Sequence, residues 1–461
     1  MDTLEEIMKQ NIVFIFLICL LTLPYQAAGS DIESRIKTLE ETLNKQQKII
    51  EDQQKFIREM KEELRTFKDL NEPKPLKKAE SLKEAEVTQL KSSGLTGLFG
   101  GSILTNPYIS LVFNGFYYSS SISERELENR GIPGYSILGF EPKKGFNLES
   151  AELFLFAPVD PYFNLYATIP VTSDGAELEE AYFVTTALPG GLQLKGGQFK
   201  SNFSRYNAQH PHAWDFANPP LSYRAFLGQE GLIEKGLQLT YLPALPIYTL
   251  LGFEAFQGEN EILFNPNAKN GPYAYTAYVK SSFDIGDAST LLLGPYAVWG
   301  KTRSETVAED SFFRGDSQLY GFEAIYKWKP TNKQSLSFMG EYMLRNQKGQ
   351  LSDLSLTSSA NLKRVQDGFY VQGLYQYERW RLGARYDLLD LFKDTYRLAG
   401  VNQDFGEKPW QLTGAVEFNP SEFSRLRFQY EHDRSGRDGR TNHAFFLQLI
   451  LGIGAHAAHP F

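Results

Sequence analysis

The chain has 461 residues, and its 47 Lys and Arg against 55 Asp and Glu give a formal net charge of −8, which argues against nucleic acid as a partner. Aromatic residues reach 14 %, with 25 Tyr and 34 Phe, yet mean hydropathy is only −0.35. That excludes a helical membrane bundle, because no second long apolar run accompanies the one near the N-terminus.

In chain order, the first element is that run, NIVFIFLICLLTL over residues 11–23. It is too short to span a bilayer as a helix. Lys9 precedes it and the small residues of YQAAGS follow, the layout of a secretory signal peptide over residues 1–29, cleaved near Ala28 or Gly29. Asp2, Glu5 and Glu6 are foreign to such a leader, which makes Met8 a candidate start. The only cysteine, Cys19, lies inside the leader, so the mature chain is expected to hold no disulfide and no thiolate metal site.

Residues 30–70 are a different material, rich in Glu, Lys and Gln. Ile32, Ile36, Leu39, Leu43, Ile50, Ile57, Met60, Leu64 and Phe67 recur on a heptad seam, with Gln46 and Gln53 at core positions. This predicts a periplasmic coiled coil, whose stripe is buried in an oligomer or, alternatively, against its own barrel. Residues 71–106 form a polar linker.

From residue 107 the period changes to two. In 369–377 Phe369, Val371, Gly373, Tyr375 and Tyr377 alternate with Tyr370, Gln372, Leu374 and Gln376. The same pattern holds over 380–388, 410–418 and 425–431. Apolar-out, polar-in strands of this length predict an all-β transmembrane barrel over residues 107–461, with about 16 antiparallel strands. Short turns such as LPGG, PALP, KPTNK and NPSEF alternate with longer polar segments: 119–145, 204–229, 258–272, 302–316, 346–366, 391–408 and 432–441. Both barrel ends are placed in the periplasm, so the long loops face outward.

The chain closes on AFFLQLILGIGAHAAHPF, a final strand with a terminal aromatic, Phe461. This resembles the C-terminal signal by which Gram-negative outer-membrane barrels reach the barrel-assembly machinery. With the strand count, loop order and leading coiled coil, residues 97–461 resemble the sixteen-stranded porins, and more loosely the phosphate-selective porin O/P family. The resemblance implies a homotrimer in the outer membrane, in contact with the bilayer and lipopolysaccharide. It also implies passive diffusion of small hydrophilic solutes or ions, with the third outward loop, 204–229, as the constriction. That loop carries Arg205, His210, His212, Asp215 and Arg224. Facing strands add Arg381, Arg385, Arg425 and Arg427, with Glu417 on the strand between. Lumen charges of both signs, including Lys195, Lys327, Arg345, Glu323, Glu341 and Glu431, predict a transverse field and leave the solute unnamed.

Two further readings stand beside the channel. His210 and His212 share one face of an extended segment, with Asp215 as a third donor, and His456 and His459 pair at the C-terminus. Either pair is a candidate zinc ligand set, though no cofactor is required. Alternatively, about 40 residues of helix reach about 60 Å and tether the barrel to a periplasmic partner. No nucleophile elbow, P-loop, HExxH or dinucleotide fingerprint is present, so an enzyme is not expected. A TonB-dependent receptor needs more strands and a plug domain than the chain can supply.

Overall fold

The computed structural model describes residues 107–128, 130–135, 142–264, 270–308, 311–353 and 358–454. The leader, coiled coil and linker readings therefore lie outside the described residues, as do His456, His459 and Phe461.

The strands are β1 (Tyr108–Ser120), β2 (Gly145–Asp160), β3 (Phe163–Val171), β4 (Glu180–Thr185), β5 (Leu192–Lys200) and β6 (Ile233–Tyr241). Next come β7 (Tyr248–Phe256), β8 (Ala274–Ile285), β9 (Ser289–Ala308), β10 (Ser311–Trp328), β11 (Gln334–Asp353) and β12 (Ser359–Tyr377). The last are β13 (Trp380–Leu398), β14 (Val401–Asn402), β15 (Trp410–Ser421), β16 (Ser424–Asp433) and β17 (Asn442–Gly454). Each pairs antiparallel with its neighbour in sequence, and β17 pairs with β1 from Ser110 opposite Gly454 to Ser120 opposite Ala444, so the sheet closes. β14 is only two residues folded back on β13, which pairs directly with β15. The wall thus has sixteen full strands, as the alternation predicts.

Side-chain alternation explains the closure. Leu382, Leu412, Phe428 and Leu451 are exposed outward, while Arg385, Thr413, Arg427 and Gln448 from the same strands are buried inward. A belt of outward apolar groups suits lipid, and rings gather at its edges, as where Trp380 meets Phe418 at 4.8 Å.

Three expected loops are not loops. Segments 302–316, 346–366 and 391–408 are mostly taken up by β9 to β13, which run 18–20 residues each. A strand crosses the hydrocarbon with about 9–11 residues. The remainder of each long hairpin extends past that length, and there Phe313, Leu362 and Tyr396 pack inward with Leu351 and Leu398 while no lipid-facing apolar stripe marks the strand. The ladder continues there regardless: Ser311 opposes Asp353 at the far end of the β10–β11 pair.

The third outward connection, residues 201–232 and here called L3, does not stand clear. It turns into the barrel, and the main apolar cluster of the molecule is made by its side chains meeting the inner wall. Phe203, Tyr206, Trp214, Leu221, Tyr223 and Phe226 join Tyr296, Met339, Met343 and Tyr370. Phe203, Leu221 and Phe226 are 0 % exposed, values of a protein core rather than of an open pore.

Candidate functional site

L3 first folds on itself. Asn207 staples its two ends, donating to the Ser201 and Leu232 carbonyls at 2.8 and 3.0 Å and accepting from Leu232 N at 2.7 Å. Pro211 opens a single 3-10 turn, Pro211–Ala213, and Pro220 precedes the short helix α1 (Leu221–Phe226). Proline fixes φ at these corners and lowers the entropy lost on ordering so long a loop. Tyr206 lies between Trp214 and Tyr223, at centroid distances of 5.1 and 4.5 Å.

The folded loop then docks on groups around the wall. Glu254 of β7 accepts from Ser201 and from Asn202 N, and Glu323 of β10 accepts from Arg205 N at 2.8 Å. Asp387 of β13 accepts from Leu221 N at 2.9 Å. Glu341 of β11 sits in a cage of hydroxyls, from Tyr223 at 3.1 Å, Tyr296 at 2.6 Å and Tyr370 at 3.1 Å. Gly321 makes room for this cage, because a Cβ there would stand 2.0 Å from the Tyr296 ring. On the basic side Arg385 donates to the Asn218 carbonyl at 2.9 Å and Arg427 to the Trp214 carbonyl at 2.8 Å. Glu323, Glu341, Asp387, Arg385 and Arg427 are therefore docking posts for L3, closed off beneath it. Arg345, at β11, likewise points at the α1 carbonyl of Ala225.

The remaining predicted cations divide by level. Arg224 approaches Gln411 at 3.5 Å, toward the long-loop rim. Arg205, Arg381 and Arg425 border a cavity of about 570 Å³ between L3 and the short-turn rim, together with His212, Asp215 and Glu422. Arg205, Asp215 and Arg381 also border a second cavity of about 130 Å³, beside Lys327.

Beneath L3 an ion network fixes these groups. Asp215 pairs with Arg381 and accepts from Gln372 at 2.6 Å; it does not approach the histidines as a third metal donor would. Burial alone would favour the neutral Asp215 acid, but Arg381 and Arg205 hold its carboxyl below the usual range. Glu417 is shared by Arg427 at 2.8 Å, Arg425 at 3.3 Å and Arg381 at 3.5 Å. The charged groups that border the larger cavity, Arg205, Arg381 and Arg425 against Asp215 and Glu422, sum to +3 − 2 = +1. On β2 and at the entry to β4 the inner wall is acidic: Glu152 and Glu180 are buried there with Glu179 beside them.

His210 and His212 lie on that acidic side with their rings near parallel at 5.8 Å. Burial disfavours charge on His210, but Glu179, then Glu180 and Glu152, outweigh it and raise its pKa to about 10. The sequence reading missed these acids, because Glu179 and Glu180 follow a short TSDG turn rather than a long loop and Glu152 reads as an ordinary inward strand residue. It also missed His432 and His443, which face each other across β16 and β17 at a ring distance of 5.3 Å.

Fold and site together define a closed transmembrane β-barrel whose third long loop is packed across its lumen. No family model matches the chain. The chain belongs to the same family as an uncharacterized protein of Aquifex aeolicus, with 40 % identity over 380 residues, covering 77 % of this chain and 80 % of that one. Among solved structures, the outer membrane channel DcaP of Acinetobacter baumannii is similar at TM-score 0.47 and 14 % identity, over 76 % of this chain and 97 % of that one. An anion-selective porin from Comamonas acidovorans gives 0.46 and 9 %, over 76 % and 100 %. The trimer form of OmpT of Vibrio cholerae gives 0.45 and 10 %, over 76 % and 99 %. The barrel assignment here rests on the closed ladder itself.

Proposed function

We propose that the protein is an outer-membrane diffusion channel for small hydrophilic solutes, with L3 as its constriction and a preference for anions. The observation that carries this reading is the arginine-rich cavity under L3. A loop whose backbone is held by wall side chains narrows a sixteen-stranded lumen to what passes between it and the wall. The cluster of Arg205, Arg381 and Arg425 leaves net positive charge where a solute would be stripped of bulk water.

In this reading the rim with short turns faces the periplasm, the final strand engages the assembly machinery through Phe461, and the heptad seam over 30–70 holds three copies together. The test is reversal potential across a planar bilayer under a KCl gradient. Selectivity for chloride in the wild type, reduced in Arg381→Gln/Arg425→Gln, supports the reading. Cation selectivity, or selectivity unmoved by the double substitution, overturns it.

A further inference from the structure

Beside the arginine-lined cavity, which His212 also borders, side chains far apart in sequence converge on one point. Glu152 comes from β2, Glu179 and Glu180 from the entry to β4, and His210 and His212 from L3. One ligand atom each from Glu152, Glu179 and His210 lies within 4.8 Å of the other two. The individual separations are tighter. Glu179 Oε2 is 3.1 Å and Glu152 Oε2 3.5 Å from His210 Nδ1, and Glu152 Oε2 is 3.2 Å from His212 Nδ1. Zinc bonds of about 2.0–2.2 Å at tetrahedral angles put neighbouring donors about 3.3–3.5 Å apart. The two distances from His210 Nδ1, to Glu179 and to Glu152, are close to the edge of that tetrahedron, and His212 Nδ1 reaches Glu152 alone.

The groups behind these donors are arranged as a metal site requires. His210 Nε2 is 2.8 Å from Glu180 Oε2, so the carboxylate takes the Nε2 proton and Nδ1 is left to face the other acids. Lys200 Nζ holds the second oxygen of Glu179 at 3.0 Å, and Lys200 N holds the second oxygen of Glu180 at 2.7 Å. Charge is met once the metal displaces the proton that the acids hold on His210. Three carboxylates and one ammonium then give −3 + 1 = −2 in a buried position, which one divalent cation cancels. Imidazole nitrogen among carboxylate donors suits a transition metal of the zinc type rather than calcium or magnesium.

We propose that His210 Nδ1, Glu152 Oε2 and Glu179 Oε2, with His212 Nδ1 beside Glu152, bind a single divalent transition-metal cation that ties L3 to the β2–β4 wall. The site stands whether or not the barrel conducts. Asp215 takes no part, being held by Arg381 on the far side of the loop.

The experiment is zinc titration of the full-length, untagged protein in detergent, by calorimetry and by metal content after dialysis. The expected result is one zinc per chain in the wild type and in His456→Ala/His459→Ala. Stoichiometric zinc should be lost in Glu152→Gln/His210→Ala. Glu180→Gln should keep the stoichiometry with affinity about 10- to 100-fold lower, as for other orienting partners of a metal-bound histidine. Heat-modifiable migration in gel electrophoresis establishes that each variant holds a folded barrel. No stoichiometric zinc in the folded wild type, or equal affinity in folded Glu152→Gln/His210→Ala, overturns the proposal. So does loss of the zinc with His456→Ala/His459→Ala, which would place it at the C-terminal pair.

Discussion

Tyr223 carries much of the contact between L3 and the wall, because its hydroxyl enters the Glu341 cage from the loop side while Tyr296 and Tyr370 enter from the barrel. Removing that one oxygen leaves a buried carboxylate short of a donor, at a cost of about 1–3 kcal/mol. Tyr223→Phe is therefore expected to leave the barrel folded and make L3 a faster target for limited proteolysis between residues 201 and 232. Arg381→Ala removes the partner of buried Asp215 and is expected to cost about 3 kcal/mol of loop docking. The sign of the pH effect follows from the same pair. The Asp215 pKa is depressed, so its contribution is complete above the ordinary carboxylate range and is lost as pH falls through the depressed value. Conductance is expected to stay level from neutral pH to about pH 4, the unperturbed aspartate value, and to rise only below it. A rise centred between pH 6 and 7 would assign the transition to another group.

At the scale of elements, what the sequence discloses depends on where a strand meets lipid. Phe369–Tyr377 and Trp380–Leu388 read correctly because one face touches hydrocarbon and the other does not. The far halves of β10 to β13 were hidden because their apolar residues, such as Phe313, Leu362 and Tyr396, cluster inward and are too sparse to give a period of two. L3 could be located by counting connections, and its prolines mark it as ordered. Which inward charges it covers could not be read, since period two says only that Arg385 and Arg381 share a face. The first is sealed under the loop and the second borders the cavity. The acids about His210 were equally hidden, for Glu152 lies on a strand far from the loop in sequence. Replacing 204–229 with a short Gly/Ser link removes the element and keeps the wall. The expected outcome is an intact, heat-modifiable barrel with larger conductance.

For the whole molecule, the closed sixteen-strand ladder includes no residue of L3, so wall and loop are separable elements. The inward apolar cluster is unusual for a lumen and belongs to the loop, not to the wall alone. The proposed reading gives oligomerisation to the heptad seam of the sequence over residues 30–70, outside the described residues. Native mass spectrometry of detergent-extracted protein is expected to give trimers for the full chain, and weaker association after deletion of residues 30–70. Trimers of undiminished stability in the deletion variant would move the contact to the barrel wall.

The central claim is that L3, held across the lumen beside a positive cluster, sets what the barrel passes. Single-channel recording of wild type and of the 204–229 replacement, in the same bilayer and salt, tests it most directly. The account predicts small, chloride-preferring steps in the wild type and larger, less selective steps once the loop is gone. Identical conductance and selectivity in the two proteins, or no conductance in either, would contradict it.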